Sequence, residues 1–271
     1  MLDQKFLEEI ARKKETSFLN VAREYLQHLF LRSFYSQKGS EDFAFKGGTA
    51  LKIVFGSPRF SEDLDFSGIK NNWQYEKVLE ETLIDLTREG VEVEIIDSKA
   101  TTGGHLATLG VNLFGQKIEI MNQISFREKG EVAKENVVIV SDFVPPYNLF
   151  LLKREILVGE KIKALIERAK ARDFFDLYFI LRKEELRKII HLDKDQQEKI
   201  LSRIASKPKE EIEQELKRLL PRSFWQVIAD LPTAILRELN LFVCPPKTWK
   251  KIRLWCRRWL GLFRGQESAP N

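Results

Sequence analysis

Two short runs near residue 50 combine residue types suited to phosphate chemistry. Gly47-Gly48-Thr49 opens one, and Asp63 and Asp65 flank Leu64 in SEDLDFSG (61–68). Residues i and i+2 of a strand share a face, so both carboxylates point one way while Leu64 and Phe66 anchor the other side. Carboxylates a few ångströms apart raise each other's pKa unless a cation lies between them. Mg²⁺ takes such oxygens together with substrate phosphates. The glycines suit an anion site of backbone amides at a helix start, with the Thr49 hydroxyl as a further donor. Each run has a plain alternative: a solvated strand edge for the acids, a tight strand-to-helix connection for the glycines. The G-K-[ST] ending of a P-loop and the G-x-G-x-x-G order of a dinucleotide fold are both absent. Together the runs supply both needs of metal-dependent phosphoryl transfer, a cradle for the triphosphate and a metal to neutralise the leaving pyrophosphate. Arg59 adds a candidate phosphate contact, and Ser61 a residue able to cap or orient the aspartate loop.

The elements that must hold these residues are legible in outline. Residues 17–36 repeat apolar positions at helical spacing. A strand is expected at 43–46, a helix from Gly47-Gly48 to about 55, and a second strand at 64–67. A helix over 74–88, a strand at 91–96, a hairpin over 107–121 turning near Gly115, and a strand at 137–140 follow. Past Pro145-Pro146 only helices are expected, at about 148–156, 159–170, 173–190 and 193–205. Pro208 starts another, and Ser223 caps a last one, bent or broken at Pro232. The division expected is 1–146 for a mixed-sheet core and 147–271 for a helical domain.

Composition narrows the class. The chain has 271 residues and two cysteines, Cys244 and Cys256, so neither a disulfide framework nor a thiolate zinc site is expected. No run approaches the roughly 20 apolar residues of a membrane span, and a cytoplasmic protein is the simplest expectation. The net charge of +5 is uneven. From Pro245 onward, seven lysines and arginines face Glu267 alone, interleaved with Trp249, Trp255 and Trp259. This tail reads as an RNA surface, an interfacial helix on lipid, or a last helix docking its indoles on the body. His28 lies among apolar helix residues and reads as structural; His105, after Gly103-Gly104, could approach a substrate. No Ser-His-Asp or Cys-His order suggests a hydrolase.

KGGTAL (46–51) followed by RFSEDLDF (59–66) resembles the nucleotidyltransferase signature of the AbiEii/AbiGii toxin family, within the DNA polymerase β-like superfamily. A second block, GEKIKALIERAKARDFFDLYFIL (159–181), resembles the family's lysine-bearing helix followed by R-D-x-x-D-L. Read by itself, that block sets Lys161 and Arg168 on one helix face and Asp173 and Asp176 on another, as an ordinary salt-bridged helix pair also would. The resemblance implies phosphate-binding roles for Gly47, Gly48 and Thr49 and metal-binding roles for Asp63 and Asp65. Lys161 and Asp173 become expected catalytic residues, Arg168 a phosphate contact, and Asp176 and Lys117 supporting residues. A third acid is expected from a later strand, and Glu119 fits by alternation with Ile118 and Ile120, although it is Glu where Asp is usual; Glu92 or Glu94 could serve instead.

The resemblance covers about residues 17–181. It implies an α+β polymerase β-like core followed by an all-helical domain. The expected activity is Mg²⁺- or Mn²⁺-dependent transfer of a nucleoside monophosphate from NTP to an acceptor, with tRNA foremost, by the toxin of a toxin–antitoxin or phage-defence system. A protein hydroxyl or an aminoglycoside-like acceptor is the enzymatic alternative, and a non-catalytic nucleotide- or RNA-binding module the other. A cognate antitoxin is an expected partner; a membrane is not.

Overall fold

A computed structural model describes residues 2–69, 72–127 and 132–243. The basic, Trp-rich tail from Cys244 onward lies outside the described residues. Helix α1 (Gln4–Lys13) is capped by Asp3, which accepts the Phe6 amide, and α2 (Phe18–Ser36) by Ser17, which accepts the Asn20 amide. Helix α2 is buried along most of its length, with Val21, Tyr25, Leu29, Phe30 and Phe34 in the core.

The sheet is mixed and seven-stranded: β1 (Ala44–Lys46), β2 (Asp63–Ile69), β3 (Glu92–Thr101), β4 (Gly104–Leu113), β5 (Gln116–Arg127), β6 (Lys134–Ile139) and β7 (Tyr147–Leu152). Their spatial order is β3-β4-β5-β2-β1-β7-β6. Parallel pairs join β2 to β5 and β1 to β7; the others are antiparallel. Helix α3 (Gly47–Ile53) follows β1, and α4 (Asn72–Arg88) joins α2 on the apolar face. That face buries Leu64 and Phe66 of β2, the latter ring 5.0 Å from Phe34. The expected hairpin turns at Phe114-Gly115, both in the left-handed region at φ 52° and 73°.

Helices α5 (Arg154–Glu167) and α6 (Ala171–Arg182) follow the sheet, then α7 (Glu184–Arg187), α8 (Lys194–Ser206), α9 (Lys209–Leu219), α10 (Trp225–Ala229) and α11 (Leu231–Val243). Three expectations are corrected. YNLFLL (147–152) is a strand inside the sheet, not a helix, because β1 presents an open edge that this apolar run pairs in parallel. The helix expected over 173–190 breaks at Lys183, whose ψ of 108° is extended. Ser223 lies in a 3₁₀ turn rather than capping a helix; the break expected at Pro232 does occur, at Asp230 between α10 and α11, and leaves Pro232 in the first turn of α11, where its missing N–H costs no bond.

Candidate active site

Asp63 and Asp65 project from the face of β2 opposite the core, and Lys46 pairs laterally with Asp65 across the β1–β2 ladder. The glycine turn passes directly beside them. Gly47 holds φ +83°, and a Cβ there would stand 2.0 Å from Asp65 Oδ2. At Gly48 a Cβ would meet Arg59 Nη2 at 2.4 Å and Ser61 Oγ at 2.8 Å. Both positions therefore admit only glycine without displacement, one for its backbone and its neighbour, the other for its neighbours alone. Among the described residues no side chain caps α3, whose first amides thus lack the usual side-chain acceptor. Thr49 is buried, and its hydroxyl donates to the carbonyl of Asp63, tying the turn to the start of β2. That bond replaces the expected hydroxyl contact to phosphate.

Burial pushes the Asp63 carboxyl above the ordinary range, opposed chiefly by Arg172. Burial raises Asp65 too; Lys161, Lys46 and Arg172 oppose the shift, and Asp63 adds to it. Two same-face carboxylates held toward their neutral form are what a divalent cation relieves. Two carboxylates with room for phosphate and water oxygens suit Mg²⁺. Among the described residues no group of three or more His, Cys, Asp or Glu side chains forms such a site. Glu119 shares the face, yet Met121 pairs with Asp63 and Gln123 with Asp65, which leaves Glu119 upstream of the acid pair and exposed. Lys117 is bound to Glu94 at 2.7 Å, and Glu92, on the edge strand β3, accepts from Asn112 of β4.

The second motif block sorts its charges in a way that spacing alone left open. Asp176, 1% exposed, takes a two-pronged contact from Arg59 at 2.8 and 3.1 Å and the Lys161 ammonium at 2.8 Å. Burial favours its protonation, but Arg59 and Lys161 outweigh this and hold the carboxyl at about 2. Asp173 takes the fork of Arg168 at 3.0 and 2.8 Å and the Lys170 amide at 3.0 Å. Arg168 caps the C-terminus of α5, its amide bonded to the Ala164 carbonyl at 3.0 Å, and it takes a different carboxylate from Lys161, Asp173 rather than Asp176. Arg59, 2% exposed, also donates to the Phe60 carbonyl; it is a strut between the glycine turn and α6 rather than a free phosphate ligand.

Two further cations face the acid pair, Lys46, which the sequence does not single out, and Arg172, which it offers only as a partner for Asp173 or Asp176. Lys46 is bound to Glu160 at 3.2 Å and faces Asp65; the β1–β2 register was the signal that could have found it. Arg172 is half-buried, its Nε has no hydrogen-bond partner among the described residues, and its charge acts on both Asp63 and Asp65. In sequence it is one cation among several in its segment. His105 lies on β4, buried, with Nε2 2.9 Å from Ser98 Oγ, and His28 is buried 3.0 Å from the Tyr147 hydroxyl. Neither belongs to this site.

The fold is shared with solved structures. JHP933 from Helicobacter pylori is 19% identical, with a TM-score of 0.57 over 92% of this chain and 100% of that one. MenT4, a nucleotidyltransferase toxin from Mycobacterium tuberculosis H37Rv, is 17% identical, with a TM-score of 0.58 over 98% of this chain and 100% of that one. No curated protein matches. Residues 29–241 match the family described as nucleotidyl transferase AbiEii toxin, type IV TA system. That span contains the glycine turn, the acid pair and the α5–α6 charges. The chain therefore belongs to the AbiEii nucleotidyltransferase toxins of type IV toxin–antitoxin systems.

Proposed function

We propose that the protein transfers a nucleoside monophosphate from NTP to an RNA hydroxyl, with tRNA the leading acceptor, and that Asp63 and Asp65 hold Mg²⁺ or Mn²⁺ for this step. The observation that carries the reading is the contact of the Gly47 turn with the Asp65 carboxylate. Bound there, the metal would supply a Lewis acid at the phosphates and neutralise the departing pyrophosphate. The amides of Gly47 and Gly48 receive the triphosphate at the start of α3. Lys161, held at 2.8 Å by Asp176, stands beside Asp65 as a fixed positive charge. Arg172 acts electrostatically on both aspartates with its buried Nε unpaired among the described residues, and it meets phosphate oxygens or the charge that builds up in transfer. In the reaction the acceptor oxygen bonds to the α-phosphorus as the bond to pyrophosphate breaks, and the hydroxyl proton is released. The work is divided between a sheet core and the helices that follow it, in the cytoplasm, under the control of a cognate antitoxin.

Incubation with labelled NTPs, Mg²⁺ and total RNA or cell lysate tests the reading, comparing the protein with its Asp65→Ala variant. Label in RNA that vanishes in the variant supports it. Label on protein or on a small molecule moves the acceptor. NTP binding with no product of any kind sinks the catalytic reading.

A further inference from the structure

A second cleft, of about 600 Å³, opens where the turn between α1 and α2 meets the connection from α9 to α10. Its walls carry the exposed cations Arg12, Lys217, Arg218 and Arg222 against one acid, Glu15. The nearby acids have partners of their own, and one of the four cations, Lys217, is itself taken by Glu213. Glu9 binds Lys13 at 2.8 Å, Glu213 binds Lys217 at 2.6 Å, and the Glu15 carboxylate accepts the Ser223 amide at 3.0 Å. Arg12, Arg218 and Arg222 show no salt bridge among the described residues. Glu15 adopts φ +51°, and its carbonyl accepts the Arg222 amide at 3.1 Å, so this one residue fastens the two walls together. Trp225 adds an indole that is 37% exposed, with the Lys217 ammonium 5.3 Å from its ring centroid.

The cleft has a fixed relation to the acid pair. Ser17 lines it and caps α2. Six residues along that helix, roughly 9 Å of rise, Arg23 binds Glu62 at 3.2 Å, next to Asp63. On the other wall, the Phe60 amide donates to the Leu219 carbonyl at 2.7 Å, which joins the loop after Arg59 to the end of α9.

We infer that this cleft is a second anchoring point for the RNA acceptor, gripping phosphodiesters with Arg12, Arg218 and Arg222 and an unpaired base with Trp225, while the reacting end of the strand lies at Asp63. Guanidiniums without acid partners beside an exposed indole are the elements that bind single-stranded nucleic acid, charge to phosphate and ring to base. An acidic protein surface would satisfy the guanidiniums but would leave the indole without a role. The inference rests on the RNA reading above.

The test is fluorescence anisotropy of labelled total tRNA with the full chain across a salt series, with melting temperature and NTP affinity as checks of folding. The combined Arg12→Glu, Arg218→Glu, Arg222→Glu variant is expected to bind tRNA at least tenfold more weakly. Its slope of log affinity against log salt should be shallower by about two. Trp225→Ala alone should weaken binding about tenfold, with NTP affinity unchanged in both variants. If both variants bind tRNA as the unaltered protein does, the cleft is not an RNA site; an acidic protein partner is then left as its occupant, and the RNA reading stands. If the unaltered protein neither binds nor labels RNA, the RNA reading falls and this inference falls with it.

Discussion

Gly47 and Asp65 touch: the space a Cβ at Gly47 would need is taken by Oδ2 of Asp65, 2.0 Å away. The glycine turn and the acid pair are therefore parts of one surface, and neither can be altered without the other.

Gly47→Ala should abolish nucleotidyl transfer while leaving the fold recognisable. The left-handed backbone costs about 1–2 kcal/mol with a side chain, and the methyl group must also displace the Asp65 carboxylate. A labelled-NTP assay beside a thermal melt checks this. An active alanine variant would mean that the contact has no part in the chemistry.

Asp65→Asn should lose activity and gain stability. The folded state raises the Asp65 pKa, so its charge destabilises the fold at neutral pH, and an uncharged amide of the same shape removes that cost. The expected gain is about 0.5–2 kcal/mol, read as a higher urea midpoint without added metal. Excess Mg²⁺ should narrow the difference by stabilising only the unaltered protein.

Asp176→Asn should be strongly destabilising, by about 3–5 kcal/mol, because it leaves the buried Arg59 without its counter-charge. The same carboxylate predicts an acid-side signature. Its folded pKa is about 2 against 3.8 without the fold, so the unfolded chain takes up the proton first. The stability it contributes is full above about pH 4 and lost as the pH falls towards about 2. Urea midpoints over that range should fall less steeply in the variant than in the unaltered protein.

Arg172→Ala should lower kcat about 100- to 1000-fold, the usual cost of removing one preorganised donor from a developing charge. Arg172→Lys should recover part of the loss, because an ammonium keeps the charge and loses the planar fork. A rise in KM with kcat unchanged would place Arg172 on the bound substrate alone.

Glu119→Gln should change activity by less than about threefold, since an exposed side chain upstream of the Asp63 register position loses only surface charge. A loss comparable to that of Asp63→Asn would make it a metal ligand after all.

The local parts of this protein are written in its sequence. The i, i+2 spacing of Asp63 and Asp65 dictates a shared face, the paired glycines a turn, and the alternation about Gly115 a hairpin, because strand pleat and backbone freedom are properties of neighbouring residues. The two motif blocks likewise sufficed to suggest the family. Partner choice over long separations was decided only by the fold. Spacing could not say whether Asp173 or Asp176 would take Lys161, because both lie within reach on one helix. The answer came from the pairing of Arg168 with Asp173 across the short turn between α5 and α6, and from Arg59, which arrives from the first motif to share Asp176 with Lys161. Residues 147–152 became a strand because β1 offered an edge, a fact absent from their own composition. Arg172 acquired its place beside the acid pair in the same way, when packing of α5 and α6 had satisfied the neighbouring cations and left its Nε unpaired.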